Sequence, residues 1–349
     1  MNRLLRQPWF RGLFGSWLNT LLTLGTAAFL LWIIPPFVRW SLVDATWVGT
    51  ATDCAARAGA CWAFIGDKFR FILFAFFPPE AQWRGWLVLA LLVGGLAAST
   101  LPRLWSPWLL AAWAVILVVS VALMAGTFTP PQVPSNQWGG LPVTLLVWIV
   151  CFGASVPLAV LLALARRSNM GGLRTLSVLF IELMRGTPMV AILYVAMLIL
   201  PMMIPNGQLL DKTLRAMILI TLFWSAYVAE VVRAGLQAIN AGQYDAAASL
   251  GLGYWRSMWL VVLPQAFRIV IPALVNLAIG FLLATSLLAV IGIFDLLNAA
   301  KTAAVDPNWI GFYDEAYIVA AAIYFAFCYA GSRYSQWLER RLLSARPGS

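Results

Sequence analysis

Apolar residues along this chain gather into long runs separated by short polar and basic stretches. Runs near the roughly 17 to 25 residues needed to cross a bilayer core fall at 17–38, 85–100, 106–127, 141–165, 175–203, 214–238, 268–294 and 314–334. The pattern predicts an all-α integral membrane protein with about eight transmembrane helices, the second of them short. The patch FRFILFAFFPP (69–79) is too brief to cross and predicts an interfacial or re-entrant piece. Between the third and fourth runs, TFTPPQVPSNQWGG (127–140) is rich in Pro, Gly and uncharged polar residues, as expected of an outer-face linker. It divides the chain into an N-terminal extension, 1–135, with about three transmembrane helices, and a five-helix part, 136–349.

Composition agrees with a membrane setting. With 62% hydrophobic residues, 10% charged residues and 18 Trp in 349 positions, the chain has more apolar surface than a soluble core of this size can bury. The net charge of +10 does not point to nucleic acid, because Lys and Arg sit in short segments between apolar runs rather than on one soluble basic face. Those segments orient the bundle, since cytoplasmic ends carry the Lys/Arg excess. With both termini inside, thirteen basic residues fall inside and eight outside, five of the eight in the long loop 39–84. Arg3, Arg6 and Arg11 precede an apolar run that continues beyond residue 30 without a small-residue cleavage site, so the first run reads as an uncleaved span.

Chemistry-bearing patterns are mostly absent. There is no histidine, which excludes His-based triads and His-containing zinc sites, and no G-x-x-x-x-G-K-[ST] stretch that could cradle a nucleotide. The chain is therefore not expected to be an enzyme, and any ATP it uses must be bound by another subunit. Cys151 and Cys328 lie within spans and read as small apolar fillers. Cys54 and Cys61 share the outer loop, where a disulfide is permitted but not required by their spacing.

The most ordered segment outside the spans is QYDAAASLGLGYWRSMWLVVLPQA (243–266), on the cytoplasmic side in this orientation. Small residues after Asp245 let a helix be approached closely, and Gly251 permits a sharp turn. A second segment carries Tyr254, Trp255, Met258 and Trp259, and Pro264 predicts a stop or kink before the next span. A helix lying on the lipid surface would account for the aromatic residues, but not for the small-residue run with its Gly and Pro.

With its preceding helix, this segment (227–276) resembles the EAA loop of permease subunits in bacterial ABC importers. FIELMRGTPMV (180–190) further resembles the polar amino acid branch, and the extra front 1–135 is similar to that of the larger permease of general L-amino acid importers. The likeness runs over about 140–338. Asp245 stands where the family has Glu, keeping the charge but shortening the reach. The resemblance implies that Asp245, Ala246, Ala247, Gly251, Leu263 and Pro264, within a loop spanning 240–267, dock onto an ATPase subunit. It also implies a bacterial inner-membrane translocation subunit working with a second homologous permease, two ATPase subunits that bind ATP and Mg, and a periplasmic amino acid binding protein. Two alternatives from other classes are an ion-coupled secondary transporter and a non-transporting scaffold. The former should show an inverted repeat, and none is convincing between 1–135 and 140–338.

A second feature lies inside the spans. Glu182 and Arg185, and Glu230 and Arg233, form two Glu-x-x-Arg steps, each on one helix face. Both fall in the inner half and could meet across their helices, next to Thr187 and Pro188, where a helix can break. They are candidates for a gate or pathway contact. The plainer alternative is that each pair neutralises itself, or that Arg233 reaches up to lipid phosphate.

Overall fold

The computed structural model describes residues 8–203 and 211–344; Arg3, Arg6 and Arg346 of the basic count lie outside them. Among the described residues seven helices are long and apolar enough to cross a membrane, or eight if one bent pair is counted as a single span. The chain gathers into two units, the first up to Phe69 together with Ala304–Glu315, the second Arg70–Ala303 with the chain from Ala316 on. The 127–140 segment lies within the second.

In the first unit, α1 (Pro8–Phe14) leads into α2 (Trp17–Val38), whose Ser16 cap accepts the Asn19 amide at 3.2 Å. No residue of α2 is buried in the protein, as suits a helix meant for lipid on every side. The loop after it is folded rather than loose. Cys54, in the short α3 (Ala51–Ala55), forms a disulfide with Cys61. The Cys61 amide donates to the buried Glu315 carboxylate at 2.7 Å, and Trp62 Nε1 donates to the Ser41 carbonyl at 2.7 Å. Lys68 pairs with Asp306 at 2.9 Å, and Phe64 lies against Trp309 and Phe312, both at 5.9 Å between ring centres. The patch 69–79 falls at the end of α4 (Trp62–Phe74), 13 residues long and too short to cross.

In the second unit α5 (Gln82–Ser99) and α6 (Pro107–Ala125) form a hairpin. Arg84, expected in the outer loop, is instead in the first turn of α5 and fully buried. Its two Nη atoms donate to the carbonyls of Thr129 and Pro131 at 2.9 and 3.0 Å. A guanidinium can serve two carbonyls at once, so this one side chain ties down a linker that has no charges of its own. Gly126, left-handed at φ 74°, has no room for a Cβ beside Arg84 Nη1 and the Pro131 carbonyl.

The centre of the unit is the pair α7 (Gly140–Arg166) and α11 (Lys212–Gln237), on which α8 (Gly171–Gly186) and α14 (Leu263–Ala284) also pack. The run 175–203 is not one straight helix. After α8 the chain turns by 103° into α9 (Met189–Tyr194), a π turn and α10 (Leu200–Met203). Pro188, which has no amide proton to continue α8, caps α9 instead. The seventh span also differs from its expected limits, running unbroken from Tyr254 to Ile291. Pro264 therefore neither stops nor separates it. A π turn at Met258–Val262 comes just before, with the Leu263 amide bonded to the Met258 carbonyl, and this wider register accommodates the residue without an amide proton. The helix α15 (Leu296–Ala303) and the last span, in α16 (Tyr313–Ser344), complete the chain.

Candidate functional site

The 240–267 loop is a helix, a turn and the beginning of a long span. Asn240 caps α12 (Ala241–Ser249) by accepting the Gly242 amide at 2.8 Å. At the other end Gly251 is left-handed, φ 71°, and the Gly251 and Leu252 amides return to Ala248 and Ala247 at 2.9 and 3.1 Å. This is the hydrogen-bonded stop that a glycine makes cheap. A Cβ there would meet no other atom, so the site demands the backbone conformation and not the space. The chain then re-enters helix at α13 (Tyr254–Ser257).

The six loop residues singled out from sequence divide by face. Ala247 and Leu263 are buried, and Leu263 joins Met258, Val262 and Ala266 in a core with Ala163 and Leu164 of α7, Ile181 of α8, and Val232 and Leu236 of α11. Asp245, Ala246, Gly251 and Pro264 are exposed. The Asp245 carboxylate has no hydrogen-bond or ion-pair partner among the described residues. In the same loop Leu250, Tyr254, Trp255, Trp259 and Leu260 are also exposed, Leu250 at 79%. Burying one face while leaving such a large apolar one open is the arrangement of a surface awaiting a partner.

Residues that sequence reasoning missed fix α12 in place. The Tyr244 hydroxyl donates to the Leu236 carbonyl at 3.2 Å and lies 3.3 Å from Arg167 Nη1, whose guanidinium is 5.9 Å from the Tyr244 ring centre. Gln265 Nε2 donates to Gln243 Oε1 at 2.9 Å, linking α12 to α14. Gly235 allows α11 and α14 to approach, since a Cβ there would lie 2.6 Å from Val270 Cγ1.

The two Glu-x-x-Arg steps do come together, around one acid. Glu230 is bonded by Arg233 at 2.8 Å, by Arg166 at 2.9 Å, and lies 3.7 Å from Arg185 of α8. Glu182 joins only through Arg166, at 3.0 Å; it does not pair with Arg233, which also donates to Gln237 at 2.9 Å. Arg166 was expected in a loop. It is the last residue of α7 and the bridge between the two acids, a role that depends on tertiary packing and leaves no spacing signal. The Tyr227 hydroxyl reaches the Arg185 carbonyl at 3.4 Å, and Thr187 donates to the Leu183 carbonyl at 2.7 Å just before Pro188 turns the chain. Three arginines and two glutamates thus bind the C-terminal parts of α7, α8 and α11 together.

Residues 155–344, which include both places, match the family described as binding-protein-dependent transport system inner membrane component. The chain is similar to the inner membrane amino-acid ABC transporter permease protein YhdY of Escherichia coli strain K12, with 46% identity over 97% of this chain and 93% of that protein. It is also similar to the glutamate/glutamine/aspartate/asparagine transport system permease protein BztC of Rhodobacter capsulatus, with 34% identity over 96% of this chain and 93% of the relative. Among solved structures, the crystal structure of an amino acid ABC transporter with histidines aligns with 32% identity and a TM-score of 0.51, over 58% of this chain and 92% of that one.

Proposed function

This chain belongs to the family of binding-protein-dependent transport system inner membrane components, and from that premise we propose that it is the translocation subunit of an ATP-driven amino acid importer. It works with a second homologous permease, two ATPase subunits that hold ATP and Mg, and a periplasmic binding protein. The observation that carries this reading is the 240–267 loop. One face is fixed to α7, α11 and α14, and the other presents an unpartnered Asp245 within small and apolar exposed residues. Such a surface fits a groove on an ATPase, and the chain's lack of a phosphate-binding loop leaves hydrolysis to that partner. The names of the relatives support amino acids as the cargo.

Both termini and the 240–267 loop face the cytoplasm. The disulfide between Cys54 and Cys61 supports this orientation, because such bonds persist in the oxidising periplasm. When the ATPases close, the loops are drawn together, the helices tilt and the pathway opens outward. The Glu230 cluster holds the inner ends of α7, α8 and α11 together in that state, as a gate.

Two measurements test the reading. Purified in mild detergent, the chain should retain an ATPase subunit; its consistent absence, with uptake independent of ATP, overturns the importer. For orientation, an impermeant thiol reagent on intact cells should label Cys54 or Cys61 after reduction and leave a cysteine placed at Asn169 unlabelled. Asn169 is exposed between α7 and α8 and suits this better than Ser257, which is buried. The reverse labelling pattern would invert the orientation.

A further inference from the structure

At the opposite end of α11 from the Glu230 cluster lies a buried cation that pairs with none of the described acids. Arg215, in the first turn of α11, is only 9% exposed, and its Nε and Nη1 are buried without a hydrogen-bond partner. The acid closest in sequence is already committed. The Asp211 carboxylate caps the helix, accepting the Thr213 and Leu214 amides at 2.9 and 3.3 Å and the Ser135 hydroxyl. Lys212, one turn before Arg215, adds a second positive charge and donates to the Gly292 carbonyl at 2.8 Å. The N-terminal end of a helix dipole is also positive. The one negative charge close by in sequence, the Asp211 carboxylate, is held by the helix end and Ser135 and makes no bond to Arg215.

A buried charge is tolerated when it is paired. Arg84 gives both Nη atoms to carbonyls and leaves only its Nε without a partner. Arg215 has no such solution among the described residues, which leaves its Nε and Nη1 open to a partner from outside the chain. The same helix carries Arg233 eighteen residues later, five full turns and on the same line along the helix. That inner arginine is neutralised by Glu230. In the proposed orientation α11 therefore has a satisfied arginine toward its inner end and an unsatisfied one at its outer end.

Resting on the reading of this chain as an amino acid importer, we propose that Arg215 receives the α-carboxylate of the incoming amino acid at the outer end of the pathway. Every α-amino acid carries that group, and a guanidinium binds a carboxylate through two parallel hydrogen bonds. Lys212 and the helix end strengthen the field that attracts it. No covalent step is involved; the contact forms on entry and is released as the pathway closes behind the substrate.

The test uses the complete complex in proteoliposomes, with binding protein and a labelled amino acid that the wild type transports; a wild type that transports none would fail the importer reading itself and not this site. Arg215→Gln should lower uptake at least tenfold with the complex still assembled, and Arg215→Lys should recover part of it. Arg215→Met should abolish uptake yet raise the melting temperature of the substrate-free complex, because it removes an unbalanced buried charge. Uptake by Arg215→Gln within twofold of wild type overturns the proposal. So does a lowered melting temperature with loss of the second permease in Arg215→Met, which assigns the counter-charge to a partner's acid. Wild-type uptake that fails in neutral phosphatidylcholine and returns with anionic lipid, in step with Arg215 protection, assigns it to lipid phosphate and also overturns the proposal.

Discussion

The charge cluster gives the sharpest prediction because its two acids are so unequally placed. Glu230 is 16% exposed at its side chain and serves three arginines, whereas Glu182 is 55% exposed and touches one. Removing one partner of a buried ion pair costs about 3 to 5 kcal/mol. Solvent reaches all three arginines in part, at 22%, 38% and 28%, which lowers the expectation for Glu230→Gln to about 2 kcal/mol. For Glu182→Gln the corresponding figure is about 0.5 kcal/mol. If that energy holds the gate shut, it corresponds to roughly a 30-fold shift for Glu230 and about twofold for Glu182. The assay is uptake of labelled amino acid in cells with matched amounts of protein in the membrane. Exchanging Glu230 with Arg166, which are in direct contact, should recover part of the loss; exchanging Glu182 with Arg233, which are not paired, should recover none. Equal losses from the two Gln variants, or rescue only by the Glu182–Arg233 exchange, would refute the hub arrangement.

Gly251→Val should cost about 1 to 2 kcal/mol through its left-handed backbone alone, since the space is open, and Gly251→Asn distinctly less. Uptake should follow that order with the protein still inserted, and Asp245→Ala should weaken ATPase retention while stability stays within about 0.5 kcal/mol; normal uptake in Gly251→Val would count against a coupling role. Asp295 lies beyond the seventh span, fully buried, and burial pushes its carboxyl from 3.8 up to about 6 against hydrogen bonds from the Leu297 and Asn298 amides and Tyr324. An acid raised in the folded state favours folding at low pH, so stability should fall as pH rises from about 4 to 6 and remain lower above. Asp295→Asn should therefore gain up to about 3 kcal/mol at pH 8 and little at pH 4, read as melting temperature in detergent; a variant less stable than wild type at pH 8 would reverse the sign.

Run length was enough to find the spans, because a bilayer imposes a minimum apolar length that few other settings do. The turn at Gly251 and the bend at Pro188 were legible for a related reason, since those residues restrict the backbone locally. What depended on partners distant in sequence was not legible. Arg84 looked like loop charge until the Thr129 and Pro131 carbonyls gave it two acceptors. Cys54 and Cys61 could be said only to be near each other. Pro264 read as a stop because local rules see its missing amide proton, but a π turn immediately before it changed the register that the helix had to satisfy. Arg215 was counted as an ordinary outer-face charge, and only its burial without a partner distinguishes it.

The two candidate places meet in adjacent residues at the end of α7. Arg166 holds Glu182 and Glu230, while Arg167 holds Tyr244 on α12. A displacement of α12 thus reaches the charge cluster through one peptide bond rather than through a long chain of contacts. Small movements suffice. Lengthening an ion pair from about 3 to about 4 Å changes its Coulomb energy on the order of 1 kcal/mol at an effective dielectric of about 20, and Arg166 makes two such pairs at once. Met258, Val262 and Leu263 pack in the same core as Ile181 of α8, so the loop cannot shift without carrying those helix ends with it. The docking face and the cluster are on this account one mechanical element, and the exposed, unpartnered side of that element is where an ATPase would apply its force.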